Sequence, residues 1–433
     1  MTDGPRVVVI GGGIGGLCLA QGLRGAGVPV TVFERDRDPA DRWEGYRIHI
    51  DPAGARSLRA CLPDHLWDAL LATSAPGGPF GFVTEQLEEL VEIEEAIAYP
   101  AAADPAENHY AVDRRTLRRV LLAGLDDVVH LGAEYVSYEH DAQGRPVALF
   151  ADGRRVTADL LVGADGVGSR VRRQFLPDAE PVPAGVVGIA GKVALTPDVP
   201  AVLAHGMHVV SDAGPAALFT AAFRPPPGAR AVLAEVTGRP APPVDEPYLL
   251  TALVTTPEHL PPDLDARGPD ALAALADDLV RTWHPDLRRL LATSDPASRG
   301  ASVFLVAPPV PHWVPGRVTL LGDAVHAVPA TGGLGGNAAL RDARRLTQVL
   351  AARPDDLLAA VGAYEADLRE HGTATIVDAL GVRDQMLAGG VWRTRLSRAW
   401  FRLCARSSFL RRRTFAESET EVSRPRPWEL TAP

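Results

Sequence analysis

Two stretches of this chain combine crowded glycines with a nearby acid, and a third sets an acid in a glycine loop. In the first, Gly11-x-Gly13-x-x-Gly16, with Gly12 and Gly15 in addition, is followed by Glu34 eighteen residues past Gly16. The first glycine permits a tight turn, the second lets a pyrophosphate approach bare backbone, and the third lets a helix pack closely on a strand. A carboxylate at Glu34 can accept both hydroxyls of an adenosine ribose and disfavours a 2′-phosphate, so FAD or NAD fits better than NADP. Gly11, Gly13, Ile14, Gly15 and Gly16 are therefore candidate phosphate-side residues. Arg35, Arg42 and Arg47 follow near where the phosphates would lie, and Arg47 is the preferred contact. In the second stretch, Gly322-Asp323 leads to Pro329 and then to four glycines in five positions, Gly332, Gly333, Gly335 and Gly336, before Asn337. Such a loop lets a bulky planar ligand lie against backbone. A helix starting at about Asn337 would place roughly half a positive charge there, worth about 0.3 to 2 kcal/mol to an anion such as a reduced flavin. Asp323 offers a carboxylate to a ribityl hydroxyl, and His326 reads as a satisfied turn residue. The third acid, Asp165, precedes Gly166 and is followed by Ser169, Arg170 and Arg172. A fixed carboxylate there is costly unless loop N–H groups or a ligand ribose bond it. No nucleophile, triad or metal-ligand cluster is legible.

These groups need scaffolding. An apolar strand, Val7–Ile10, a glycine turn, a helix and a second strand over 29–33 make the first β-α-β unit. An extended piece over 46–50 and a helix signalled by Pro52 and Leu58 come next. Residues 76–100 look strand-like, with six glutamates that read as a solvated face. Leu117, Val120, Leu121 and Leu125 follow helical spacing behind Asp113, an expected N-cap, with Arg114 at the helix start. Arg114 can reach a flavin or phosphate edge there, although Arg114, Arg115, Arg118 and Arg119 together also read as a solvated basic face. Short strands joined by turns fill 128–159, ahead of an apolar strand, Leu160–Gly163.

Composition shifts between 181 and 309, where β-prone runs (186–195, 208–210, 217–223 and 231–237) alternate with proline-rich loops. That pattern predicts an antiparallel sheet followed by a helix pair around 270–292. The sheet would form one wall of a substrate pocket, with Phe219 and Phe223 on one face of a strand as lining candidates; ordinary core packing is the competing reading. A strand over 318–321 returns the chain to the first domain, a long helix spans 356–386, and a basic, aromatic segment over 391–415 reads as a helix docked on the first domain rather than on a membrane. The last fifteen residues look frayed. The expected architecture is α/β: a discontinuous Rossmann-like dinucleotide-binding domain (1–75, 104–180 and 310–390) with an inserted β-sheet substrate domain (76–103 and 181–309) and a C-terminal helix and tail (391–433).

At 433 residues the chain is long enough for two or three domains and a sizeable core. Its net charge of −10 argues against a nucleic-acid partner, which requires a basic face. No apolar run reaches spanning length and no leader pattern precedes the first strand, so a cytoplasmic protein is expected. Cys18, Cys61 and Cys404 have neither disulfide nor metal spacing, and Lys192 is the single lysine.

The motifs GGGIGG with Glu34 and Arg35, GADGVGSRVR, and GDAVHAVPATGGLGGN resemble, in order and spacing, those of the single-component class A flavoprotein monooxygenases, the relatives of para-hydroxybenzoate hydroxylase. Arg114 and Leu117 fit that family's R-x-x-L. The resemblance covers roughly 5–60, 108–180 and 310–350. It implies that Gly11, Gly13, Gly16, Glu34, Arg114, Asp165 and Asp323 bind FAD, that Asp165 helps handle the nicotinamide nucleotide, and that the loop from Pro329 to Asn337, including Gly335 and Gly336, contacts the isoalloxazine. It further implies that NADPH or NADH is co-substrate, and that O₂ reacts through a flavin C4a-hydroperoxide to hydroxylate or epoxidise a small organic molecule. The second domain matches no family motif, so the resemblance does not carry the substrate; its aromatic-poor, proline-rich composition suggests an aromatic or polyketide-like molecule of specialised metabolism. Catalysis is then flavin-centred, with no catalytic side chain and no metal assigned. Ala327 and Ala330 stand where many relatives carry proline. A flavin halogenase is disfavoured by the lack of Trp-x-Trp. An FAD-dependent dehydrogenase and a non-catalytic dinucleotide-binding protein are the alternatives.

Overall fold

The computed structural model describes residues 4–37, 46–239, 246–387 and 389–416. Arg42 and the end of the chain lie outside the described residues. Val7–Ile10 is buried at every position and lies at the centre of a five-stranded parallel sheet. The strand order is Val318–Leu320, Leu160–Gly163, Val7–Ile10, Val30–Glu34, Val129–Leu131. An uninterrupted apolar strand is what a parallel sheet requires, because helices cover both of its faces. The helix Ile14–Gly25 packs on the helix Leu334–Ala352, and both contribute to the largest apolar core. This topology brings together the carboxyl ends of four adjacent strands, which carry Glu34, the glycine turn at Gly11, Asp165 and Asp323. In open α/β sheets a ligand sits in the crevice at that edge.

A second sheet has seven strands, in the order Gly300–Val306, Val182–Ala194, Tyr248–Thr255, Ala217–Phe223, Met207–Ser211, Phe80–Thr84, Glu89–Ile93. It is mixed rather than purely antiparallel, since Phe80–Thr84 runs parallel to Met207–Ser211. The reason is that 80–93 enters the sheet from a distant part of the chain, as a hairpin added to its edge. Residues 231–237, expected as a strand, belong instead to the helix Ala229–Thr237. Leu233 is fully buried there against the first domain's core and Gly238 closes the helix at φ 62°, so tertiary packing overrides the β-prone composition. The helix pair is present as Pro269–Leu279 and Pro285–Ala292.

The basic C-terminal segment forms two helices, Val391–Arg406 and Ser408–Phe415, and they dock on the second sheet rather than the first domain. Phe401, Cys404 and Phe415 pack with Phe82, Val91 and Ile93. Arg398 pairs with Glu85, Arg402 with Glu88 at 2.9 Å and Arg411 with Glu94 at 2.7 Å. The glutamates of 76–100, expected to face solvent, thus receive much of the C-terminal arginine charge, and the exposed edge strand is covered. No helix among the described residues is long and apolar enough to cross a membrane.

Candidate functional site

At the first glycine turn the residues divide by task. Gly11 has φ 110° and a Cβ there would lie 2.2 Å from Ala164 O, while one at Gly16 would lie 2.1 Å from Gly11 O. Those two glycines are needed for packing. At Gly13 a Cβ would meet nothing within 4 Å, and no side chain caps the helix that begins at Ile14. Open space over uncapped helical N–H groups fits a pyrophosphate. Glu34 is buried, its Oε2 accepting from Gly12 N at 2.6 Å and its Oε1 from Asp36 N at 2.9 Å. Arg118 Nε donates to Gly12 O at 2.9 Å, and its guanidinium lies 3.6 Å from the Glu34 carboxylate. Arg118 therefore braces the turn from the side. It follows Arg114 by one helical turn, but Arg119 follows Arg115 in the same way, so spacing alone does not single Arg118 out. Asp113 does cap the helix, accepting from Arg115 N at 2.9 Å and Thr116 N at 3.1 Å. Arg35 is exposed beside Asp36.

Asp165 is satisfied by its own loop. Ser169 Oγ donates to Oδ1, and Arg170 N donates to Oδ2 at 2.8 Å. Burial nevertheless pushes its carboxyl above the ordinary range. Arg172, 1% exposed, ties the loop down through Val167 O at 2.7 Å and Glu180 at 3.0 Å. Asp323 is exposed at the strand end, just after Gly322 at φ 63°. Beneath it, Gly322 N donates to Asp342 Oδ2 at 2.8 Å. Asp342 is held between His326 Nε2 at 2.6 Å and His371 Nε2 at 2.7 Å, all fully buried. Burial opposes charge on Asp342, but the two imidazoles hold it well below the usual carboxylate range. Burial likewise works against a charged His371, yet Asp342 outweighs it and lifts the group to about 9. His326 is thus a partnered structural residue. Asp342 and His371, unnoticed in the sequence, fix the Gly-Asp corner from a turn and two helices away.

The second glycine loop turns through Gly332 (φ 79°) and Gly333 (φ 69°). The helix after it starts at Leu334, a turn earlier than expected, so Gly335 and Gly336 form its first turn. A Cβ at Gly336 would sit 3.3 Å from Ile14 Cδ1, and one at Gly335 would sit 3.4 Å from Asp323 Oδ1, which places both glycine motifs and the second acid around one space. Asn337 Nδ2 donates to His49 O at 3.0 Å and Gly333 O at 3.1 Å, and its Oδ1 accepts from Asp51 N at 3.2 Å. Its side chain is taken up in joining the loop to the strand Arg47–Ile50. Pro329 is buried at the head of the loop, its carbonyl accepting from Thr331 N at 2.7 Å.

Arg47 faces the second sheet. It is buried, with Nη1 2.8 Å from Met207 Sδ and Nη2 donating to Gly77 O at 2.8 Å, and burial lowers it to about 10, so it stays charged. Met207, Phe223 and Tyr248, together with half-buried Phe219 and Tyr99, form one apolar cluster around this seam. His49 Nε2 lies 2.9 Å from His109 Nδ1, and burial, with Arg47 and His109 nearby, holds it well below its ordinary range. Lys192 Nζ stands 3.7 Å from Asp113 Oδ2 and 4.2 Å from the centre of the Tyr248 ring. Phe219, Phe223 and Arg47 thus gather around Met207, and the strand of Arg47 reaches the glycine loop through His49, whose Cβ lies 3.7 Å from where a Cβ at Gly333 would stand.

An FAD-binding domain family model matches residues 5–225 and 308–379, more than half of the chain. The chain belongs to this FAD-binding family. Among its relatives in that family, the dual O-methyltransferase/FAD-dependent monooxygenase elcB of Phaeosphaeria nodorum is 32% identical over 395 residues, 83% of this chain and 42% of that protein. The chain therefore spans less than half the length of the first relatives it matches. The 3-amino-4-hydroxybenzoate 2-monooxygenase of Streptomyces cremeus is 32% identical over 389 residues, 86% of this chain and 84% of that one. A crystal structure of a Photorhabdus luminescens protein assigned as an FAD-containing monooxygenase superposes with a TM-score of 0.76 at 31% identity, covering 89% of this chain and 99% of that chain. The resemblance to the class A flavoprotein monooxygenases holds across these comparisons, and FAD is the cofactor the motifs serve.

Proposed function

We propose that this chain is an FAD-dependent monooxygenase that uses NADPH or NADH and O₂ to hydroxylate or epoxidise a small aromatic or polyketide-like molecule. The observation that supports the reading is the meeting of both glycine motifs and two acids at the carboxyl edge of one parallel sheet, where a Cβ at Gly336 would lie 3.3 Å from Ile14 Cδ1 and one at Gly335 3.4 Å from Asp323 Oδ1. When bound, FAD supplies the redox chemistry, taking two electrons from the nicotinamide nucleotide and delivering one atom of O₂ to the substrate. The protein's part is positioning. Glu34 would receive the ribose hydroxyls, the helix at Ile14 the pyrophosphate, and Asp323 a ribityl hydroxyl. The positive end of the helix beginning at Leu334 would favour negative charge on the reduced cofactor. On the other side of the seam, Phe219, Phe223, Met207 and Tyr248 offer apolar walls that exclude water. Arg47, a fixed buried cation, can hold an acidic or carbonyl oxygen of the substrate or of the ring. His49, held neutral and bonded to His109, can accept a hydrogen bond from a substrate hydroxyl.

The test is anaerobic reduction of the FAD-loaded protein by NADPH and by NADH, followed by turnover under ¹⁸O₂ with a panel of phenolic and polyketide-like acids. Nucleotide oxidation accelerated by a panel member, with one ¹⁸O atom in the product, is the expected result. Reduction and reoxidation with no labelled product for any member would replace this reading with the dehydrogenase one.

A further inference from the structure

The opposite face of the seven-stranded sheet carries a cluster that flavin chemistry does not use. Three neighbouring strands align Glu92, Gly81 and His208 in register, Glu92 opposite Gly81 and Gly81 opposite His208. Side chains two strands apart do not ordinarily meet, the backbones lying roughly 9 to 10 Å apart. Here the middle residue has no side chain. A Cβ at Gly81 would lie 2.6 Å from His208 Cδ2 and 3.0 Å from its Nε2, so the imidazole leans across the gap toward Glu92. His205, three residues earlier, closes the third side, its Nε2 2.7 Å from Glu92 Oε2 and its ring 5.7 Å from that of His208. One ligand atom from each of the three lies within 4.8 Å of the others.

His208 is the decisive member. It is 1% exposed, yet neither ring nitrogen has a hydrogen-bond partner among the described residues. A buried imidazole with both nitrogens unmet is costly, and a bound group that takes one of them removes much of that cost. Thr220, paired with His208 on the neighbouring strand, carries an equally buried hydroxyl without a partner among the described residues, placed to receive the other ring N–H once the imidazole is fixed. Metal-bound histidines are commonly oriented in this way. Val83, Val210 and Leu218 point to the same face as His208, whereas Met207 and Phe219 point to the flavin side, so the cluster is separate from the catalytic crevice.

We propose that Glu92, His205 and His208 form a binding site for a Zn²⁺-class divalent transition metal. Two imidazoles and one carboxylate are the donors such an ion takes, and they leave a fourth position for water or an external ligand. The ion would tie the edge strand Glu89–Ile93 to the loop before Met207–Ser211.

The test uses the full-length, FAD-loaded protein after chelation and removal of the chelator. Zn²⁺ is titrated in competition with a chromophoric chelator, and Co²⁺ is added separately as an absorbance probe of ligand geometry. One Zn²⁺ per chain is expected, with visible Co²⁺ bands characteristic of low coordination number. His205→Ala and Glu92→Gln, both at solvent-accessible side chains, should each weaken Zn²⁺ binding by more than about tenfold, since even outer partners of ligands are worth roughly 10- to 100-fold. His259→Ala, at an exposed histidine outside the cluster, should leave the affinity unchanged. Zn²⁺ should also raise the thermal midpoint of the wild type and not of His205→Ala. Absence of stoichiometric binding, or binding that survives both His205→Ala and Glu92→Gln, overturns the assignment.

Discussion

Gly13→Ala isolates the pyrophosphate contact from the fold. Gly13 has φ −75° and ψ −176°, an extended conformation that alanine adopts without strain, and its Cβ would project into open space. The apoprotein should therefore be as stable as the wild type or more so, by about 0.4 to 1 kcal/mol, because the unfolded chain loses freedom. FAD binding should suffer, since the methyl group stands where the phosphates must approach the helix. Losing one charge-assisted hydrogen bond costs about 1.5 to 3 kcal/mol, a roughly 10- to 100-fold rise in Kd. The two effects have opposite signs and are separable by titrating apoprotein with FAD by fluorescence quenching and by melting both proteins with and without FAD. At a concentration 100 times the wild-type Kd, FAD stabilises the wild type by about 2.7 kcal/mol, of which the variant should lose about 1.3 to 2.3 kcal/mol. Gly16→Ala is the counterpart: its Cβ would lie 2.1 Å from Gly11 O, so the apoprotein itself should be destabilised. Unaltered FAD affinity in Gly13→Ala would refute the path assigned to the pyrophosphate.

The His326–Asp342–His371 tie should impose a pH dependence on stability. His371, raised from 6.5 to about 9, contributes fully below its unfolded value and loses that contribution as pH rises through about 9, while Asp342, depressed, loses its contribution only in acid; thermal midpoints should fall from pH 6.5 towards 9.5, and Asp342→Asn should flatten that slope while lowering the midpoint throughout. Arg47→Met should lower kcat/KM for an acidic substrate by about 10- to 100-fold, the worth of one hydrogen bond to a charged group; a parallel loss of FAD affinity would place Arg47 on the ring side of the seam, and no change in either would remove it from the site. Phe401 stacks on Phe82 at 4.2 Å and contacts Phe415, so Phe401→Ala should speed proteolysis between 391 and 415, whereas Arg402→Ala, at a pair exposed on both sides, should cost no more than about 1 kcal/mol.

The sequence announces the cofactor end of this molecule because backbone geometry makes glycine obligatory there. Gly11 and Gly16 are fixed by approaches of 2.2 and 2.1 Å, and such constraints survive as spacing that can be read without a structure. Glu34 is legible for a similar reason, as the tip of the strand next to the turn. The substrate end leaves no such trace. Arg47, His49, Tyr99, His109, Met207, Phe223 and Tyr248 come from several separated segments, and nothing in their local sequence distinguishes a buried, charged Arg47 from a loop arginine. The same limit explains Arg118. Its helix shows four arginines in two equivalent i, i+4 pairs, and the choice among them depends on where Gly12 O lies in space.

Charge patterns fail differently. Six glutamates over 76–100 look like a solvated face when read alone and the basic, aromatic 391–415 like a helix docked on the first domain, yet the two segments meet across more than 300 residues of chain and cover the edge of a sheet. Neither run carries a local signal of the other, because the pairing is set by where the fold brings the two segments together. The Glu92–His205–His208 cluster goes further, because its key residue is a glycine. Gly81 has an ordinary strand conformation, and its contribution is the absence of a side chain between two strands. A Gly81→Ala substitution should therefore crowd His208 and weaken Zn²⁺ binding without removing any ligand. Zn²⁺ affinity unchanged in Gly81→Ala would mean that the imidazole does not need the gap, and the geometric argument for that site would fail even if the three ligands proved correct.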